Sequence, residues 1–265
     1  MSTHIPLIMG ILNLSPLSFY NAIPNYDDAL KKAERMTQEG AAILDVGAVA
    51  TNPFVNLSTQ TPSEQQELDR LIPFIEKLSR TVDIMISVDT YRPKVMQESV
   101  NAGARMINDQ HALTEENTLE TAVKLNVPVC LMHHFCDRDR GSDSNEQLLE
   151  TIVQDLTQYA KRCLSAGMKR EHIILDPGFG GGNFGKSAEE NFYILDHLES
   201  IVDLGFPVLA GLSRKSMFDG KVEDRLPASL DGAVRAAKKG VAILRVHDVR
   251  ETEEALHLLN RSLGS

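Results

Sequence analysis

Short, nearly continuous apolar runs recur along the chain, and each gives way to a charged stretch with helical spacing. The runs occupy residues 7–12, 41–46, 84–88, 105–107, 127–132, 172–175, 207–210 and 241–246. A strand buried on both faces of a parallel sheet reads this way. Between the runs, apolar residues return every three or four positions. Ala29, Leu30, Ala33 and Met36 make one stripe, with Lys31, Lys32, Glu34 and Gln38 opposite. Leu68, Leu71, Ile72, Ile75 and Leu78 make the next, and similar stripes follow Val95, Leu119, Leu148, Ile194, Leu230 and Ala255. Gly40, Gly103, Gly167 and Gly240 stand just before strand runs, where glycine suits the left-handed residue that ends a helix. Eight such βα units average about 33 residues each, the scale of one barrel. The pattern predicts an α/β protein, a (β/α)8 TIM barrel formed by residues 1–265 as one domain. A doubly wound open sheet is the structural alternative.

Composition narrows the function classes. The 265 residues carry a net charge of −10, which argues against a broad nucleic-acid or anionic-membrane surface but not against a small cationic pocket. Trp is absent and aromatic residues make up only 5%, so stacking on single-stranded nucleic acid is not expected. No apolar run approaches the ~18 residues of a membrane span, and the first residues lack the basic start of a signal peptide. The three cysteines, Cys130, Cys136 and Cys163, form no disulfide framework, which fits a reducing, cytoplasmic setting.

In a barrel, chemistry gathers at the C-terminal ends of the strands. The residues that follow the apolar runs are Asn13, Asp45 with Thr51 and Asn52 beyond it, Asp89, Asn108 with Asp109, His133 with His134, Asp176, Ser213-Arg214-Lys215, and Arg245 with His247. A single polar strand end is usually a cap or turn residue. A ring of them at eight successive ends is expected to be a site. Asp89, Asn108, Asp176 and Lys215 suit the hydrogen-bonding edge of an aminopyrimidine-like ring. Arg245 and His247, with Asn13, make an anion-binding half, and the neutral Asn13 suits a Mg²⁺ shell completed by phosphate oxygens and water. Asp45 is read either as a ligand contact or as a group that orients its neighbours.

Two further signals compete. Residues 180–187, GGGNFGKS, satisfy the P-loop pattern, yet they lie at the sixth unit with no acidic Walker B partner downstream, so a glycine-rich loop beside the ligand is preferred over nucleotide binding. His133, His134 and Cys136 resemble a metal cluster only superficially, because adjacent histidines on extended chain point apart. Cys130, within an apolar run, reads as core.

The strand-end motifs are specific. Met9-Gly-Ile-Leu-Asn13-Leu-Ser-Pro-Leu-Ser-Phe19, Ile43-Leu-Asp45-Val-Gly, Ile86-Ser-Val-Asp89-Thr, Ile107-Asn108-Asp109, Leu131-Met132-His133, Leu175-Asp176-Pro-Gly178, Gly211-Leu-Ser213-Arg-Lys215-Ser216 and Arg245-Val-His247 occur in that order over nearly the whole chain. In this the chain resembles the dihydropteroate synthase family of pterin-binding barrels. The resemblance implies a homodimeric, Mg²⁺-requiring transferase of folate biosynthesis. It would condense 6-hydroxymethyl-7,8-dihydropterin diphosphate with p-aminobenzoate to 7,8-dihydropteroate and pyrophosphate, and sulfonamides would compete with p-aminobenzoate. By motif match, Asp89, Asn108, Met132, Asp176, Gly211 and Lys215 would hold the pterin. Asn13, Thr51, Arg245 and His247 would hold the diphosphate, with Asn13 on the metal. Phe19, Thr51, Phe184, Lys215 and Ser216 would form the p-aminobenzoate pocket. The catalytic set implied is Lys215, Asp89, Asp176, Arg245 and His247.

The loops depart from the family pattern. Leu17 and Asn21 stand where the first loop carries aspartates, and Asn52 stands where the second carries arginine. The loss of an acid and a base together is consistent with removal of a charge pair as a unit. The same departures motivate an alternative, a relative that binds a pterin but lacks the condensation activity.

Overall fold

The computed structural model describes residues 5–15, 25–49, 61–134, 144–181 and 184–263. Phe19, Thr51, Leu17, Asn21, Asn52 and Cys136 lie outside the described residues. All eight expected strands form: β1 (Leu7–Asn13), β2 (Ile43–Gly47), β3 (Met85–Asp89), β4 (Met106–Asp109), β5 (Val129–Met132), β6 (Ile173–Asp176), β7 (Leu209–Ala210) and β8 (Ile243–Val246). The helices between and after them are α1 (Tyr26–Gln38), α2 (Glu64–Thr81), α3 (Pro93–Ala102), α4 (Thr118–Leu125), α5 (Asn145–Ser165), α6 (Ala188–Asp196), α7 (Glu199–Val202), α8 (Leu226–Lys238) and α9 (Val249–Leu263). No helix among them is long and apolar enough to cross a membrane.

The strand order is β6-β5-β4-β3-β2-β1-β8-β7, with parallel pairing throughout. The ends of that order meet. Leu175 bridges Val208 in parallel, and the Leu175 N–H donates to the Pro207 carbonyl at 2.9 Å. The sheet therefore closes into a (β/α)8 barrel, which removes the open-sheet alternative. The seventh strand is shorter than its apolar run because Pro207 has no N–H to give the ladder. The sixth begins one residue later than expected, after a 3-10 turn at Arg170–His172.

Alternation sorts each strand into two faces. Outward residues such as Leu12, Leu44, Val46, Val88, Ile107, Leu131, Leu175 and Leu244 join one large core with the helix stripes. Inward residues Met9, Ile43, Met106, Cys130, Ile174, Leu209 and Ile243 form a separate apolar plug. Two residues further along six of the same strands, the inward positions become Ile11, Asp45, Asn108, Met132, Asp176 and Arg245 on β1, β2, β4, β5, β6 and β8. The site thus rests on an apolar floor inside the barrel.

Local signals fix the ends of elements. Ser63 with Gln66, Ser144 with Gln147 and Ser187 with Glu190 form capping boxes at three helix starts. The four glycines expected before strands all have positive φ. At Gly103 (φ 123°) a side chain is excluded twice, because an added Cβ would also lie 2.7 Å from the Ser79 Cβ.

Candidate active site

The mouth of the barrel is organised by a cation that crosses β1. Arg245, on β8, places its Nε 2.6 Å from Asp45 Oδ2 on β2 and an Nη 2.9 Å from Asp89 Oδ2 on β3. Asp45 is fully buried, and its carboxylate also accepts from Ser87 Oγ at 2.7 Å and Asn108 Nδ2 at 3.0 Å. Those three donors satisfy it inside the barrel, so Asp45 is the group that orients Arg245 and Asn108. The bond from Nδ2 to Asp45 fixes which side of the Asn108 amide is the donor, and so places its carbonyl oxygen as the acceptor on the other side.

Asp89 accepts from Gln110 Nε2, which lies 3.0 Å from both of its oxygens. Gly47, its register partner on β2, leaves room for it, since an added Cβ would sit 3.3 Å from the Asp89 Cβ. Burial raises the Asp89 carboxyl to about 7, with Arg245 pulling down, the Asp45 charge pushing up and Gln110 pulling down. Asp176 is also raised by burial, against the pull of the Gly178 N–H, Lys215 and Arg245. Its Oδ1 accepts that N–H at 2.7 Å. Gly178 itself is sterically required, as its φ is 69° and a Cβ there would come 2.1 Å from the His133 carbonyl. Met132 is the register partner of Asp176 and is buried beside it.

Lys215 follows β7. Its Nζ lies 4.1 Å from the centre of the Phe184 ring, a cation–π contact. Burial and the Arg245 charge lower the ammonium to about 8, against the attraction of Asp176 and Asp89. Gly211 opens the space after β7, where an added Cβ would meet nothing within 4 Å. Ser216 packs against the β6 loop, with its Oγ 3.0 Å from where a Gly181 Cβ would stand. Arg245 remains firmly protonated, because Asp45 and Asp89 outweigh the cost of its burial. His247, two residues along and on the same side of the chain, is held well below the usual imidazole range by burial and by Arg245, Lys32, Lys215 and Arg214. Asn13 ends β1, where its Oδ1 accepts the Ser15 N–H at 2.9 Å.

The structure therefore brings together Asn13, Asp89, Asn108, Met132, Asp176, Phe184, Lys215, Arg245 and His247 at one end of the barrel. It differs from the expected division into a ring-binding half and an anion-binding half, because Arg245 is tied to a carboxylate of the first half. Other strand-end residues serve structure instead. Asp109 faces outward and accepts the N–H groups of His111 and Leu113. Arg214 (φ 58°) forks onto Asp248 and donates to the carbonyls of Val222 and Glu223. His133 is buried with its Nε2 3.3 Å from Asp155 Oδ2, and His134 stacks on His111. The P-loop signal dissolves as well: buried Lys186 donates to the Gly178 carbonyl at 2.8 Å, and Ser187 caps α6.

Sequence reasoning left Gln110 and Ser87 out and did not commit Asp45 to the site. Strand parity is the signal that finds them, since Ser87 shares a face with Asp89 and Gln110 extends the face of Asn108.

A closed parallel barrel with this mixed acidic, amide and cationic mouth belongs to a class that the sequence also matches. The family model described as pterin binding enzyme aligns with residues 9–247. Within that class, the chain belongs to the dihydropteroate synthase family of transferases. It is 44% identical over 262 residues to the dihydropteroate synthase of Haemophilus influenzae, covering 95% of this chain and 92% of the relative. A dihydropteroate synthase of Coxiella burnetii solved in complex with pteroic acid superposes with a TM-score of 0.92 at 44% identity, covering 99% of this chain and 94% of the other. The Xanthomonas albilineans dihydropteroate synthase with 4-aminobenzoic acid gives a TM-score of 0.89 at 34% identity, covering 100% and 96%.

Proposed function

We propose that this chain is a working dihydropteroate synthase, joining 6-hydroxymethyl-7,8-dihydropterin diphosphate to p-aminobenzoate with release of pyrophosphate. The observation that carries the reading is the cradle formed by Asp89, the Asn108 carbonyl and Asp176 beside the cations Arg245 and Lys215. Relatives solved with pteroic acid and with 4-aminobenzoic acid hold the chemical parts of that product. Residues 1–265 serve as one domain in this account, in a reducing cytoplasmic setting and as a homodimer.

The carboxylates of Asp89 and Asp176 accept from ring and exocyclic N–H groups of the pterin, while Asn108 accepts through its carbonyl. Met132 and Gly211 line the slot. The Lys215 ammonium offsets the carboxylate charge and donates to the ring. Arg245 and His247 hold the diphosphate oxygens, joined by Thr51. Phe19, Thr51, Phe184, Lys215 and Ser216 form the p-aminobenzoate pocket, for which sulfonamides compete. In the reaction the C–O bond to the diphosphate breaks and its electron pair leaves with pyrophosphate. The aniline nitrogen then forms the new C–N bond and releases a proton. Aniline is a weak nucleophile, so stabilising the departing anion by Arg245 and His247 is the main contribution of the chain's own residues.

Among the described residues, no three His, Cys, Asp or Glu side chains gather into a metal cage. Asn13 keeps a second lone pair on its amide oxygen, which fits one position of a Mg²⁺ shell otherwise made of phosphate oxygens and water. When bound there, the ion would supply charge neutralisation for the diphosphate. The test is turnover by the purified protein with Mg²⁺ and both substrates, compared with Lys215→Ala. Dihydropteroate at the level of that variant would refute the reading.

A further inference from the structure

We infer that Ser213 is a positioning residue that holds His247 as the Nε2–H tautomer, so that the imidazole presents a fixed donor to the leaving diphosphate. The inference deepens the proposed function and rests on it for the identity of the anion. Ser213 is buried, and its Oγ lies 3.1 Å from the His247 backbone nitrogen and 3.1 Å from His247 Nδ1. A backbone N–H can only donate, so the hydroxyl oxygen accepts from it. The hydroxyl hydrogen then points to Nδ1 as its recorded acceptor among the described residues, which leaves the ring proton on Nε2. In the opposite tautomer the oxygen would accept both N–H groups, and the hydroxyl hydrogen would have to turn away from His247.

The arrangement is braced one residue further on. Arg214 donates from Nε and Nη2 to the two carboxylate oxygens of Asp248 at 2.8 Å each, and its N–H donates to Ser229 Oγ at 2.9 Å. The β7 and β8 loops are thus laced twice, Ser213 to His247 and Arg214 to Asp248. That lacing fixes the register at which the hydroxyl meets the ring. Burial and the cations Arg245, Lys32, Lys215 and Arg214 keep the ring neutral near pH 7, where its tautomer decides what it offers. A neutral ring with the proton on Nε2 donates to a phosphate oxygen, whereas one with the proton on Nδ1 would turn a lone pair toward it.

The test uses full-length protein labelled with ¹⁵N histidine, the His247 signal being assigned by its loss in His247→Asn. Two variants are compared, Ser213→Ala and Ser213→Thr. Ser213→Thr keeps the hydroxyl, and Ser213 lines a small cavity with Ser229, Ala233 and Thr252. The native protein and Ser213→Thr are expected to show Nδ1 unprotonated and Nε2 protonated, and Ser213→Ala is expected to lose that single tautomer. Pyrophosphate binding by calorimetry should weaken about tenfold in Ser213→Ala and stay near native in Ser213→Thr. A native His247 protonated on Nδ1, with Ser213 donating into the cavity, would overturn the inference, as would unchanged nitrogen shifts in Ser213→Ala. Failure of the functional reading would appear separately, as absence of turnover with the nitrogen shifts intact.

Discussion

Arg245 and Asp45 meet at 2.6 Å across the intervening strand β1, and the same carboxylate fixes Ser87 and Asn108. One buried acid thereby sets the position of a cation and of an amide that come from opposite sides of it. Replacing Asp45 by Asn keeps the shape but leaves the Arg245 guanidinium short of a partner. Breaking a buried pair from one side costs about 3 kcal/mol or more. Chemical denaturation of Asp45→Asn should show a loss of that order. A loss below about 1 kcal/mol would mean that the contact is only an ordinary hydrogen bond.

Arg245→Ala should weaken more than diphosphate binding. Without Arg245, the anions of Asp45 and Asp89 face one another uncompensated, and Asp89 becomes harder to ionise. Calorimetry with 6-hydroxymethyl-7,8-dihydropterin, which has no diphosphate, should therefore show weaker binding to this variant. Unchanged affinity would assign Arg245 to the diphosphate alone.

Pterin binding should follow a bell in pH. Asp89, raised to about 7, is the anion that accepts ring N–H groups above that pH, and this contribution is lost as pH falls through about 7. Lys215, lowered to about 8, is a donor below that pH and loses its proton above it. Gln110 stabilises the Asp89 anion, so Gln110→Leu should move the acidic limb upward. A titration of pterin affinity against pH checks both limbs, and an acidic limb that does not move would remove Gln110 from the account.

Nucleotide should not bind the β6 loop. With Lys186 Nζ on the Gly178 carbonyl and Ser187 capping α6, neither is poised for phosphate. Thermal melts with Mg²⁺·ATP should match those without it. A rise in melting temperature that Lys186→Ala abolishes would restore the P-loop reading.

The barrel was legible because its strands are buried on both faces, which makes each one a plain apolar run. The polar ring was legible because a buried strand that ends in Asp89, Asn108 or Asp176 has no structural need for such a group. Direction was not legible. Asn108 and Asp109 are adjacent in sequence, yet one enters the barrel and the other caps a turn outside it, and only strand parity separates them. The Arg245 contacts were hidden for a different reason. Arg245 and Asp45 are 200 residues apart, and no local pattern records that barrel closure sets β8 two strands from β2. The meaning of GGGNFGKS was likewise decided by contacts to Gly178 and Glu190 rather than by spacing.

The central claim is that this mouth condenses a pterin diphosphate with p-aminobenzoate, although Leu17, Asn21 and Asn52 replace charged loop residues of the family pattern. The direct measurement is dihydropteroate formed by the purified protein with Mg²⁺ and the pterin diphosphate, with and without p-aminobenzoate. The account predicts product that depends on p-aminobenzoate and is lost in Lys215→Ala. Tight pterin binding with no product above that variant would contradict it, and would leave a pterin-binding relative without the condensation activity.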